Sequence, residues 1–342
     1  MKPEINYRFS ELPEGGTTMR VADGVYWLRM PLPFALDHIN LWLLEDGEGW
    51  AIVDTGIGGE KTRTLWEGVF AATLDGRPVT RILVTHFHPD HIGQAGWLTQ
   101  RWNAPLWMTQ AEWLYGRHQR AEDDGSREEV ARAFYTRAGV SAEQMPALLE
   151  RVGRYRKGVE PIPAAYRRMF GGETIRIGNR GWQIIIGEGH CPEHACLACP
   201  EDGLLISGDI ILPRISPNVS LWPQEPDGDP LARYLGCLDR FAGLPADTLV
   251  LPSHDTPFTG VHERIANLRQ HHQHRLDLIL ADCAEAPRTG IEVMNAMFTR
   301  KLDMMQLGFA IGEALAHLNR LLHDGRLARG TGPDGVDRYR TL

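Results

Sequence analysis

The segment Thr85-His86-Phe87-His88-Pro89-Asp90-His91 sets three imidazoles and a carboxylate within seven residues. It follows the apolar stretch Arg81-Ile82-Leu83-Val84, so a strand hands these groups to a loop. Imidazole and carboxylate together suit zinc, iron or manganese. Burying so many of them unpaired would be costly, which argues for a ligand among them. Three further strand ends extend the pattern. Gly189-His190-Cys191-Pro192-Glu193-His194 follows Gln183-Ile184-Ile185-Ile186, Ser207-Gly208-Asp209 follows Leu204-Leu205-Ile206, and Pro252-Ser253-His254-Asp255 follows Thr248-Leu249-Val250-Leu251. Strand ends are rigid, and a preorganised metal site needs rigidly held side chains.

Taken in order, H-x-H-x-D-H, G-H-x-P-x-H, S-G-D and a late histidine resemble the metallo-β-lactamase superfamily, in particular its glyoxalase II-like hydrolase branch. The resemblance covers residues 20 to 262 and implies an α/β fold, an αββα sandwich with two divalent metal ions between the sheet edges. By this resemblance His86, His88 and His190 hold the first ion, Asp90, His91 and His254 the second, and Asp209 bridges them. Zinc is expected, with iron and manganese as alternatives. True β-lactamases of the superfamily generally lack a bridging carboxylate, whereas thioester, ester and phosphodiester hydrolases have one, so antibiotic cleavage is disfavoured. The chain departs from the family pattern at Cys191, where Thr or Ser is usual, and at Glu193, where Gly is common. Cys191 sits beside a ligand, but the ligand set is complete without it. His194, and Asp54 of Asp54-Thr55-Gly56, are expected to orient the ligands through hydrogen bonds.

The implied reaction is attack by a metal-bridging hydroxide, with one metal polarising the substrate oxygen. Asp90 is the expected catalytic side chain, orienting the nucleophile and passing a proton to the leaving group. The leading substrate class is a small thioester or ester of the acyl-CoA or acyl-glutathione type. Two alternatives stand beside it: an RNA or phosphodiester endonuclease, and a mononuclear iron sulfur dioxygenase.

Composition frames these readings. The 342 residues suffice for a large catalytic domain, 1–262, and a smaller C-terminal one, 263–342. Net charge is −8, which does not invite phosphate backbones. Five cysteines and a polar start, Met1 to Asn6, suggest a reducing, cytoplasmic setting. Cys196-Leu197-Ala198-Cys199 reads as small core side chains in a strand. No run of 18 apolar residues is present, so no membrane span is expected. The expected partner is a small-molecule substrate, with self-association left open.

Several elements must position the ligands. Val21 to Met30, Ile39 to Leu44 and Trp50 to Asp54 read as opening strands, Gly59 to Leu74 and His91 to Trp102 as helices. Residues 110–172 read as a helical cap inserted between the first two ligand motifs, charge-rich from Glu122 to Glu129. Its Tyr166, Arg167 and Arg168 are candidate substrate contacts. The proline-rich loop Leu212 to Pro223 cannot be helical and offers Arg214, Ser216 and Asn218 to a substrate. Phe34, Asp37, His38 and Asn40 are candidates for the opposite wall. Val261 to Cys283, Thr289 to Phe298 and Gly308 to His323 read as helices, with His271-His272-Gln273-His274 on an exposed face. A hairpin signal at Gly330 to Gly335 follows, and three helices with a hairpin resemble the winged-helix module of some relatives, an endoribonuclease-like subgroup included. From Glu263 onward eleven Lys/Arg face ten Asp/Glu, a balance that weighs against nucleic-acid binding.

Overall fold

The computed structural model describes residues 5–34, 36–122, 124–150 and 152–342; Met1 to Glu4 of the polar start and Asp123 of the acidic run lie outside these. Two seven-stranded sheets face each other. The first runs in the order Met19–Ala22, Val25–Pro31, His38–Asp46, Gly49–Val53, Val79–Leu83, Leu106–Met108, Arg167–Arg168. The second runs Asn6–Tyr7, Phe258–Thr259, Leu249–Pro252, Leu204–Gly208, His194–Cys199, Arg180–Gly187, Thr174–Ile177.

Alternation along the strands builds the layers. In Gly49–Val53, Ala51 and Val53 join a core with Trp27, Trp42, Leu83, Ile184, Leu197, Ile206 and Leu251 between the sheets. Trp50 and Ile52, on the other face, pack with Trp66 of helix Glu60–Thr73 and Leu98 of helix Ala95–Trp102. The outer face of the second sheet is covered by helices Pro230–Cys237, Val261–Glu285 and Met304–His323. Strands buried on both faces explain the near-continuous apolar runs in the sequence. The result is helix, sheet, sheet, helix, a mixed α/β arrangement.

Some expected elements differ. Val21 to Met30 is not one strand: Met19–Ala22 and Val25–Pro31 pair antiparallel around Gly24, whose φ of 59° suits the tight turn. The expected helix from His91 is broken into Pro89–Ile92 and Ala95–Trp102. In the cap, helices Gln110–Arg120, Ser126–Arg137, Met145–Leu149 and Tyr155–Gly158 are present, but the end of the insertion becomes an edge strand, Arg167–Arg168. Cys196 and Cys199 are free thiols buried in strand His194–Cys199. The C-terminal region consists of helices Val261–Glu285, Gly290–Met297 and Met304–His323 and the hairpin Leu327–Thr331/Asp337–Thr341. It is not a free appendage. Phe134, Tyr135 and Leu148 of the cap share its core with Leu276, Ile311 and Leu315, and the backbone N–H of Ile291 donates to Ala138 O at 2.9 Å. Among the described residues no helix is long and apolar enough to cross a membrane.

Candidate metal centre

The site forms where parallel strands end. Gly49–Val53 pairs parallel with Val79–Leu83, and Leu204–Gly208 with Leu249–Pro252. Parallel strands direct their carboxyl ends the same way, the usual place for a ligand site in such sheets. Asp54, the His86 loop, Asp209 and His254 leave from those four ends, and His190 leaves the antiparallel strand Arg180–Gly187 to meet them.

His86, His88, His190 and Asp209 form one cluster of potential ligand atoms, Asp90, His91 and His254 a second. In the first, His86 Nε2 lies 2.9 Å from His88 Nδ1 and 3.3 Å from His190 Nε2. Asp209 joins the two: its Oδ2 is 3.4 Å from His190 Nε2, and its Oδ1 is 3.5 Å from His91 Nε2 and 3.4 Å from His254 Nε2. Asp90 Oδ2 closes the second cluster, 3.8 Å from His91 Nε2 and 3.6 Å from His254 Nε2. Donors about 2.1 Å from a tetrahedral ion stand about 3.4 Å apart, so the spacing fits two such ions. Two atoms aimed into this space, His91 Nε2 and Asp209 Oδ1, are buried and have no hydrogen-bond partner among the described residues. Buried orphans of this kind are costly unless something else satisfies them, and a cation would. The residues therefore fit the implied metal pair.

The opposite ring nitrogens are held from behind. His91 Nδ1 bonds Asp54 Oδ2 at 2.8 Å, His190 Nδ1 donates to Asn218 O at 2.8 Å, and His254 Nδ1 donates to His38 O at 2.9 Å. Such contacts fix both ring orientation and tautomer. Asp54, at a φ of 62°, also accepts the backbone N–H of Thr85 at 2.8 Å. His194 acts on the bridge: its Nε2 accepts the backbone N–H of Asp209 at 3.1 Å. Gly208 allows this, because a Cβ there would lie 2.2 Å from the His194 ring.

Electrostatics follow. Burial, reinforced by neighbouring imidazoles, drives His86, His88 and His194 well below the ordinary histidine range. Burial also opposes charge on His91, but Asp54, Asp209 and Asp90 outweigh it and hold that pKa well above the ordinary value. Burial alone would raise Asp209, yet His254, His91 and His190 hold it well below the ordinary carboxylate range.

A cleft of about 1730 Å³ opens over these clusters. His88, Asp90, His190, Asp209 and His254 line one part of it, Tyr115 and Tyr155 of the cap another, and Leu268, Phe298 and Phe309 of the C-terminal helices a third. Arg214 and Asn218 line it as well. Arg214 pairs with Asp255 at 2.9 Å, and Asn218 Oδ1 accepts from Ser220 Oγ at 2.7 Å. Tyr166, Arg167 and Arg168 are not among its lining residues. Tyr166 stacks on Trp113 of helix Gln110–Arg120 with centroids 4.5 Å apart, while on the outer sheet edge Arg167 lies over Trp107 and Arg168 over Phe170. The edge strand carries them away from the cavity. Of the opposite wall, Phe34 lines the cleft. Asn40 is instead buried, donating to Pro252 O and Asp255 O at 2.8 and 2.7 Å, and so fixes the His254 turn.

Glu112 escaped the sequence reading. It is fully buried, and its carboxylate accepts the backbone N–H of Phe87 at 3.0 Å and of Glu193 at 2.6 Å. It thereby ties the His86–His88 loop to the His190–His194 loop. Glu193 answers by accepting the N–H of Ala111 at 2.9 Å, at the start of the Glu112 helix. Tyr155 completes the lock, donating to Phe87 O at 2.6 Å. Burial pushes the Glu112 carboxyl up to about 7 against the opposing pull of these amides. A single glutamate within a polar helix carries no sequence signal for this role.

A model of the metallo-beta-lactamase superfamily matches residues 35–254, and one of the metallo-beta-lactamase-like C-terminal domain matches residues 276–342. The chain belongs to the metallo-β-lactamase superfamily, a class of metallohydrolases, with His/Asp clusters able to bind metal ions. Among solved structures, a beta-lactamase domain protein from Burkholderia ambifaria is 48% identical, with 99% of this chain and 98% of that one covered and a TM-score of 0.92. A metallo-beta-lactamase family protein from Thermus thermophilus is 30% identical, covering 94% of this chain and 100% of that one, with a TM-score of 0.80. The probable metallo-hydrolase YybB of Bacillus subtilis (strain 168) is 38% identical over 77 residues, 22% of this chain and 33% of that protein.

Proposed function

We propose that this protein is a binuclear metallohydrolase acting on a small thioester or ester, of the acyl-CoA or acyl-glutathione type. The observation that carries the reading is Asp209, whose two carboxylate oxygens face different ligand sets. A mononuclear iron centre would need only the first set; the filled second set favours two ions. When bound, a pair of divalent ions, zinc foremost, supplies a water acidified toward neutral pH and a Lewis-acid contact for the substrate oxygen. His86, His88 and His190 would hold one ion, Asp90, His91 and His254 the other, with Asp209 between.

The chain's own groups do the rest. Asp90, half-buried at the cleft floor, orients the attacking water and holds its proton on a carboxylate oxygen for the departing thiolate or alkoxide. Arg214 and Asn218 offer donors on the proline-rich wall, and the cap and C-terminal helices keep bulk water from the reacting carbonyl. The cleft is roomy enough for an extended acyl carrier. Of the C-terminal helices and hairpin, read as a winged-helix-like module, the helices serve here as a cleft wall. The net charge of −8 supports a small-molecule substrate over RNA.

Asp209→Ala tests the proposal. The expected result is loss of most bound metal, measured by elemental analysis, together with a fall in thioester and ester hydrolysis of at least about a hundredfold. Unchanged turnover by a metal-stripped protein, or wild-type protein carrying one iron and consuming oxygen, would overturn it.

A further inference from the structure

A second set of ligand-type groups lies inside the C-terminal region, on residues the hydrolase reading does not use. His272 belongs to a run that reads as an exposed helix face, yet it is fully buried, as is His317; Glu313 is 6% exposed. His272 lies on helix Val261–Glu285, Glu313 and His317 on helix Met304–His323. Residues four apart share a helix face, so Glu313 and His317 can grip one ion from one side while His272 faces them.

The geometry is that of a chelate. The potential ligand atoms of His272, Glu313 and His317 all lie within 4.8 Å of one another. His317 Nδ1 donates to the backbone oxygen of Glu313 at 2.8 Å, which leaves Nε2 with its lone pair. That Nε2 stands 3.1 Å from His272 Nδ1, close to the separation of two donors on one ion. Arg275 pairs with Glu313 through Oε1 and orients the carboxylate, pulling against the burial that pushes its pKa up to about 7, and a carboxylate oxygen of Glu313 completes a two-histidine, one-carboxylate set. Glu313 and His317 thus have the charged and backbone partners that usually support a metal site, whereas His272 Nε2 is buried without a hydrogen-bond partner among the described residues. An entry path also exists, since Glu313, Arg275 and His271 line the cleft. Burial keeps both imidazoles neutral, the form that binds metal.

We infer that His272, Glu313 and His317 form a further transition-metal site, of the zinc class, that staples helix Val261–Glu285 to helix Met304–His323 beside the cleft. The competing account is a metal-free network, one imidazole–imidazole hydrogen bond beside the Arg275–Glu313 ion pair.

The test uses the full-length chain with the strand-end centre disabled by H88A/D209A, so that the result does not depend on the hydrolase reading. After incubation with Zn²⁺ and desalting, that chain is expected to retain one ion. Adding H317Q is expected to weaken Zn²⁺ affinity about tenfold or more and remove the Zn²⁺-induced rise in Tm. Should H317Q fail to fold, Glu313→Gln, which leaves both imidazoles in place, reads the same loss. No retained zinc in H88A/D209A, or zinc retained equally after H317Q or Glu313→Gln, would overturn the inference.

Discussion

At the scale of single residues, Glu112 touches no expected ligand atom, yet it ties together the two loops that carry His86, His88 and His190. Glu112→Gln keeps shape but presents an amide N–H where one backbone N–H now donates. It is expected to cost about 1–3 kcal/mol in urea unfolding and about 10- to 100-fold in metal affinity, read by competition with a chelator. Alanine at the exposed Glu128 serves as a control, expected to change neither. The cysteines give a residue-scale pH dependence. Burial pushes the Cys237 and Cys283 thiols up to about 11 from an ordinary value of 9.0. The unfolded chain therefore releases these protons first. Their contribution is intact below pH 9 and is lost between 9 and 11, on the order of 1 kcal/mol per unit for each thiol. Unfolding free energies measured across that window, with Cys237→Ala flattening the slope, check it. The convergence of the candidate ligands was legible because chemistry-bearing residues cluster within a few positions of apolar runs. Glu112 and His272 were not: their partners, Phe87 and Glu193 in one case and His317 in the other, are assembled only by the fold.

At the scale of elements, the strands that hold the site were the most readable, since each is a short apolar run ending in polar residues. The turn at Gly24 and the break after Ile92 were harder, because local chemistry there competes with an otherwise continuous pattern. The end of the cap misled for a plainer reason: Arg167 and Arg168 pair in register with Trp107 and Met108, and two residues carry no periodicity. Helix Gly290–Met297 opens with a capping box, Thr289 accepting from the N–H of Glu292 at 3.3 Å while Glu292 accepts from the N–H of Thr289 at 2.7 Å. Thr289→Ala is expected to destabilise by about 1 kcal/mol, seen as a lower Tm with an unchanged metal content.

At the scale of the whole molecule, the cap and the C-terminal helices share one core, and both line the cleft. That placement, together with an acidic balance, argues for a wall rather than a docking arm. Retention on immobilised single-stranded RNA is expected to be absent at low salt as well as high; retention that falls steeply with ionic strength would redirect the functional reading toward phosphodiesters.

The reciprocal grip of Glu112 and Glu193 has a consequence for how such proteins diversify. An insertion whose first turn is sewn to both histidine loops cannot be traded between relatives as an independent cassette. Whatever novelty evolves in the roof must leave that stitch in place, so variation is steered toward the insertion's distal turns.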